Sequence, residues 1–305
     1  MWLILAFLSA ALLGCYDSFK KQALKANAVI PVLFLNTLFS SLVFLPFIVL
    51  SAQTSWLDGS IFHVASGGWE VHRYVVLKAF IVLSSWILGY FGMKHLPLTI
   101  VGPINATRPV MVLIGALLVF GERLNAWQWI GVLLAVASFL MLSRSGKKEG
   151  IDFKHDHWIY MIVGAAALGA LSGLYDKCLM APICEGGVGL DRMLVQSWYN
   201  IYQCGMMLAM LIILWWPKHK ETTPFHWSWS IVGVSLFLST ADFMYFYSLS
   251  LPEAMISIVS MVRRGSVVVS FLFGAWFFHE KNLKAKSFDL ALVLLGMLFL
   301  YFGSR

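Results

Sequence analysis

The chain has 305 residues, 60% hydrophobic and 12% charged, with 13 Trp, 23 Phe and a mean hydropathy of +0.79. An ordinary soluble domain carries about 25% charged residues, so a water-facing globule is excluded and the expected solvent is lipid. The formal charge of +7 does not signal nucleic acid, because Lys and Arg fall mostly in short links between apolar runs, where membrane topology accounts for them.

Reading for apolar runs of about 20 residues predicts ten spans. In chain order they run from Trp2 to Phe19, Ala28 to Leu50, Tyr74 to Gly92, Leu98 to Phe120 and Ala126 to Leu142, then from Trp158 to Met180, Met193 to Trp216, Trp227 to Leu249, Glu253 to Phe278 and Phe288 to Phe302. The two longest links, 51–73 and 143–157, are polar, and the second divides the chain near its midpoint. Leu12-Leu13-Gly14-Cys15 faintly resembles a lipoprotein cleavage box, but the basic region that precedes such boxes is missing, so an uncleaved first span is expected. Cys15, Cys178, Cys184 and Cys204 stand singly in or beside apolar segments and read as packing residues.

Alternating the links between the two faces puts thirteen Lys and Arg on one side, Lys20, Lys21, Lys25 and Lys94 among them. The other side holds Arg73, Arg123, Arg192 and Arg305. The positive-inside rule then places both termini outside.

The two halves echo one another. Gly14-Cys15-Tyr16-Asp17 recurs as Gly173-Leu174-Tyr175-Asp176, and Tyr90-Phe91 followed by Leu96-Pro97 recurs as Tyr245-Phe246 followed by Leu251-Pro252. Phe120-Gly121-Glu122-Arg123-Leu124 is echoed around Glu280. Five spans per half is an odd number, so the second copy lies inverted in the membrane, an arrangement suited to opening a midplane site to each side in turn. The expected fold class is therefore an all-α integral membrane protein with ten transmembrane helices as two inverted five-helix repeats.

On these residues the chain resembles the EamA family of the drug/metabolite transporter superfamily over its whole length. The segment from Gly121 to Gly131 (Gly-Glu-Arg-Leu-Asn-Ala-Trp-Gln-Trp-Ile-Gly) looks like that family's turn between its fourth and fifth helices, and His279 replaces the matching Gly in the second half. The resemblance implies a first EamA-like repeat over 1–145, a polar linker over 146–156 and a second repeat over 157–305. It also implies a metabolite exporter or exchanger of a bacterial inner membrane with cytoplasmic termini, the opposite orientation to that given by charge.

Ionisable groups deep in spans are the informative ones, since Arg at a helix centre costs at least about 2.5–3.5 kcal/mol on insertion scales. Arg108 and Arg263 each follow a helix-opening Pro (Pro97, Pro252) by eleven residues, roughly 16 Å at about 1.5 Å per residue, which is near mid-membrane. Asn105 and Ser260 lie three residues earlier on the same faces, extended by Gly102 and Ser257. The planar guanidinium fork suits carboxylate or phosphate. Arg108, Arg263, Asn105, Ser260, Tyr90 and Tyr245 are accordingly the candidate substrate-binding residues, with Arg264 a weaker one. The alternative is that the arginines are neutralised within the protein by Asp17, Asp176 or Asp242. Asp17, Asp176, Tyr16, Tyr175 and Asp242 are candidates for coupling or gating, or the first two aspartates face the interface and pair with Lys20, Lys21 or Lys177. Pro109 predicts a kink beside Arg108.

Trp86, Tyr90, Trp198, Tyr199, Tyr202, Tyr245 and Tyr247 could line a pocket, although most are expected in packing or in the interfacial belt. Glu122 and Glu280 read as helix-end ties. No metal-ligand spacing, nucleophile elbow or phosphate-binding glycine loop occurs, Gly186-Gly187-Val188-Gly189 being read as a flexible loop, so no enzyme, cofactor or metal is expected. The expected partners are a small-molecule metabolite and membrane lipid, with no nucleic acid and no obligatory oligomer. The leading expectation is a secondary transporter of a small polar metabolite carrying a carboxylate or phosphate. An exporter of cationic or amphipathic compounds that uses intramembrane Asp and a non-transporting membrane component are the alternatives.

Overall fold

A computed structural model of the chain describes residues 2–108, 110–111, 125–147, 155–180, 183, 187–251, 259, 262–278 and 283–303. These form α1 (Trp2–Leu24), α2 (Val29–Gln53), α3 (Trp69–His95), α4 (Leu98–Ala106), α5 (Ala126–Lys147), α6 (His157–Met180), α7 (Arg192–Met210), α8 (Trp229–Ser250), α9 (Ser266–Trp276) and α10 (Leu283–Gly303). No strand occurs among the described residues. Six helical stretches, Trp2–Leu24, Val29–Gln53, Trp69–His95, His157–Met180, Arg192–Lys218 and Trp229–Ser248, are long and apolar enough to cross a bilayer. Their outward side chains are large and apolar, such as Ile4, Phe7, Phe80 and Trp229, all exposed as lipid-facing surface must be.

The helices meet through small residues, because lipid tails are as apolar as leucine and close backbone approach is what drives association. On α1, Ala6, Ser9 and Ala10 are buried against α8, and the Ser9 hydroxyl donates to the Ala241 carbonyl at 2.6 Å. Gly14 faces Val269 and Ser266 of α9 so closely that a Cβ there would lie 2.9 Å from the Ser266 carbonyl oxygen. Gly233 of α8 accommodates the Phe19 ring, and Gly92 of α3 accommodates Ile162 of α6. Four pairings dominate, α1 with α8, α5 with α10, α3 with α6 and α2 with α7, and α1 with α9, α2 with α8 and α4 with α9 follow.

Several ends and spans differ from expectation for identifiable reasons. The first span runs on past Phe19 to Leu24 and includes Lys20 and Lys21, both expected in a loop. Lys20 is held one turn from Asp17, and Lys21 donates to the Met93 carbonyl at 2.7 Å and to the Leu96 carbonyl, capping the C-terminal end of α3. His72, within the expected link 51–73, lies in α3, where its Nδ1 is 3.0 Å from the Tyr202 hydroxyl. α4 is interrupted at Thr107, whose amide donates to the Ile104 carbonyl in a tightened i→i−3 turn, and the same kind of turn joins the Gly265 amide to the Val262 carbonyl ahead of α9. The expected kink residue Pro109 lies outside the described residues.

Asn27 ties two remote connections together. Its side-chain amide donates to the His226 carbonyl at 2.7 Å and its Oδ1 accepts from the His226 amide at 2.9 Å.

A Cβ at Gly14 would press on backbone as well as on Val269, and overpacking of this kind costs about 1–3 kcal/mol. Gly14→Ala is therefore expected to lower the thermal unfolding midpoint of the detergent-purified protein, whereas Gly205→Ala, which meets open space, leaves it unchanged or raises it. Equal effects from the two substitutions would contradict the close α1–α9 approach.

Candidate functional site

The helix pairings leave a central cavity of about 1190 Å³, its opening to solvent included. Among the described residues five cationic side chains line it, Lys20, Lys78, Arg108, Arg263 and Arg264, against three carboxylates, Asp17, Asp176 and Asp242. Small residues on α6 (Gly169, Ser172, Gly173) and α3 (Ser85, Gly89) make the room, and Tyr16, Trp86, Tyr90, Tyr199 and Tyr245 supply the rest of the polar and aromatic wall.

Each carboxylate is committed to a cation. Asp17 meets Lys20 at 3.0 Å and accepts from the Ser270 hydroxyl at 3.2 Å. Asp176 pairs with Lys78 across α6 and α3. Asp242 pairs with Arg263 through one oxygen and accepts from the Tyr199 hydroxyl at 2.8 Å through the other. Aromatic faces add to the cation binding, since ring quadrupoles attract cations at such range: Lys20 Nζ lies 4.4 Å from the Tyr16 ring centre and 5.1 Å from that of Tyr90, and Arg263 Cζ lies 4.2 Å from that of Tyr245. Tyr90 is fully buried, its hydroxyl accepting from Asn36 Nδ2 at 3.1 Å.

Arg108 and Arg264 are different. Among the described residues neither has a carboxylate in salt-bridge range. The Arg108 guanidinium donates to Asn105 Oδ1 at 2.9 Å, and its Nε is buried with no hydrogen-bond partner. It rests on Gly169, where a Cβ would come 2.8 Å from Arg108 Cζ. Absence of a side chain at Gly169 is thus what lets this guanidinium occupy its seat.

Of the residues singled out in the sequence, Arg108, Arg263, Asn105, Tyr90, Tyr245, Asp17, Asp176, Tyr16 and Asp242 meet at this cavity. Tyr175 does not line it and donates to the Tyr74 carbonyl at 3.3 Å. Gly102 packs toward Val267. Ser260, Ser257, Pro252, Glu122, Glu280, Arg123, His279, Gly186 and Cys184 lie outside the described residues. Arg263 is neutralised by Asp242, the alternative weighed for it, while Arg264 takes the unpaired place. Asp17 and Asp176 line the cavity, which corrects their interfacial reading, although Asp17 does pair with Lys20. Trp86, Tyr90, Tyr199 and Tyr245 line the wall, whereas Trp198 and Tyr202 pack on His72 and Tyr247 lies under Arg192.

Lys78 escaped the sequence reading because the third span was started at Tyr74, leaving it near the interface. α3 begins at Trp69, so Lys78 lies nine residues along, roughly 14 Å deep at about 1.5 Å per residue. Its burial to 3% exposure follows from the carboxylate beside it. No group of three or more His, Cys, Asp or Glu able to hold a metal ion occurs among the described residues.

Apolar membrane-length helices around a cavity lined with charge define a multi-pass integral membrane protein. The EamA-like transporter family model matches residues 1–144, so the N-terminal part of the chain is similar to that family of membrane transporters. A solved crystal structure superposes on the chain with a TM-score of 0.65 at 12% identity, covering 99% of this chain and 97% of the other. At that identity the likeness concerns the fold alone. No curated protein sequence matches.

Asp242 neutralises Arg263 and anchors Tyr199, and removing one partner of a buried pair costs about 3–5 kcal/mol. Asp242→Asn is expected to destabilise the protein strongly in thermal unfolding, and adding Arg263→Gln to recover part of the loss. Additive losses in the double variant would show that the two side chains are not coupled.

Proposed function

We propose that the protein is a secondary transporter of a small polar metabolite bearing a carboxylate or phosphate, working by alternating access in a bacterial inner membrane. The observation that carries the reading is the unbalanced interior: five cations face three carboxylates, and the two left over are the guanidinia of Arg108 and Arg264. Uncompensated charge inside a bilayer is costly, and a guanidinium fork is matched by carboxylate or phosphate oxygens, so an anion is the natural complement. The buried Nε of Arg108 adds an unused donor beside the same space.

Two inverted five-helix repeats of the ten helices supply the moving parts in this reading. Its support is the helix pairing, since exchanging α1–α5 with α6–α10 in order turns α1 with α8 into α6 with α3 and carries α2 with α7, α4 with α9 and α5 with α10 onto themselves. Breaks at Thr107 and Gly265, each beside an arginine, fit the interrupted helices that line midplane sites in transporters. Export of a cation by the aspartates is less well supported, because Asp17, Asp176 and Asp242 each already hold a cation.

Ligand that binds only the folded state raises apparent stability, by about 2.7 kcal/mol at a hundred times Kd. Screening anionic, zwitterionic and cationic metabolites by thermal unfolding of the purified protein should therefore give stabilisation by carboxylates or phosphates that disappears in Arg108→Gln. Gly169→Ala, which displaces the Arg108 guanidinium, should weaken the same response, and Gly173→Ala, which meets open space in the same wall, should leave it intact. Stabilisation by cations alone, unchanged in Arg108→Gln, would overturn the anion reading.

A further inference from the structure

Asp17 and Asp176 occupy matching positions in the two Tyr-Asp echoes, and each faces a lysine, yet the lysines come from unrelated places in the sequence. Lys20 is one turn along α1, whereas Lys78 is on α3. Both ammonium groups are nearly sealed, at 7% and 3% exposure, and both have two aromatic rings within reach. For Lys78 these are Tyr199 at 5.1 Å and Phe246 at 5.4 Å, where Tyr16 and Tyr90 stand beside Lys20.

The two boxes are far apart. Lys20 lies over Tyr90, twelve residues beyond Lys78 on α3, so at about 1.5 Å per residue they are separated by roughly 18 Å along the helix. Arg108 falls between them. It rests on Gly169, seven residues and thus roughly 10 Å before the Lys78 partner Asp176 on α6.

We propose that Lys20 and Lys78, each in its aromatic box, are two further anion-binding stations toward opposite ends of the cavity, with Asp17 and Asp176 as resident carboxylates that an incoming anion displaces. This rests on the anion-transport reading and adds to it a path: an anion is taken up at one lysine, passes to the Arg108 and Arg264 guanidinia and leaves by the other lysine. The resident carboxylate stops each ammonium from standing uncompensated when the station is empty. An aspartate that serves only to bury its lysine makes no such provision for release.

Equilibrium dialysis of the purified full-length protein against radiolabelled inorganic phosphate, and separately succinate, tests this. Removing the competitor should unmask a station, so Asp17→Asn and Asp176→Asn should each bind at least one of the two probes about fivefold or more tightly than wild type, at the low end of couplings between linked sites. Lys20→Gln and Lys78→Gln should weaken binding, and Asp176→Asn/Lys78→Gln should lose the gain made by Asp176→Asn alone. Thermal unfolding of each variant reports folding separately.

Weakening by Asp→Asn and Lys→Gln alike, or no binding of either probe by both folded Asp→Asn variants, overturns the proposal and makes the pairs structural ties. A gain in Asp→Asn that survives Arg108→Gln upholds the stations while counting against a central arginine site. Loss of the gain in Arg108→Gln makes the two levels one connected path.

Discussion

An ion inside this bundle is costly unless something within a few ångströms compensates it, because lipid offers no water to do so. Asp242 shows how much structure hangs on that requirement. One oxygen holds Arg263 and the other holds the Tyr199 hydroxyl, so a single carboxylate fixes the relation of α8 to α7 and to the short helical segment ahead of α9. The Lys78 to Asp176 pair does the same for α3 and α6, the second most closely packed pair of helices around the cavity being joined by charge as well as by apolar contact.

Small residues make this possible. Gly14, Gly92 and Gly233 bring helix backbones together at three interfaces, and Gly169 and Gly173 withhold side chains from the interior. The first group buries apolar surface and the second creates polar space, although nothing in composition separates them. What separates them is the neighbour a Cβ would meet: Val269, Ile162 or Phe19 for the packing glycines, and the Arg108 guanidinium or nothing for the cavity glycines.

Much of this was legible in the sequence. Hydropathy marked the six long apolar helices and their order, because a membrane span is long and its signal accumulates over about 20 residues. The register of Arg108 and Asn105 followed from one helical turn, and their hydrogen bond bears it out. Which cation each aspartate holds was not legible, since Asp176 and Lys78 are 98 residues apart and meet only through the packing of α6 on α3. Lys20 was misplaced for a different reason. Charge near a span end reads as loop, and only the turn-spaced Asp17 shows that the helix continues.

The guanidinia of Arg108 and Arg264, with no carboxylate in salt-bridge range among the described residues, also have an electrical meaning. A charge carried fully across 100 mV of membrane potential is worth about 2.3 kcal/mol, so any shift of Arg108 and Arg264 along the membrane normal couples the bundle to voltage. On the anion-transport reading, a doubly negative solute seated on them cancels that coupling. The empty and the filled protein then respond differently to the same electric field, and solute flow inherits a dependence on membrane polarisation from these two side chains.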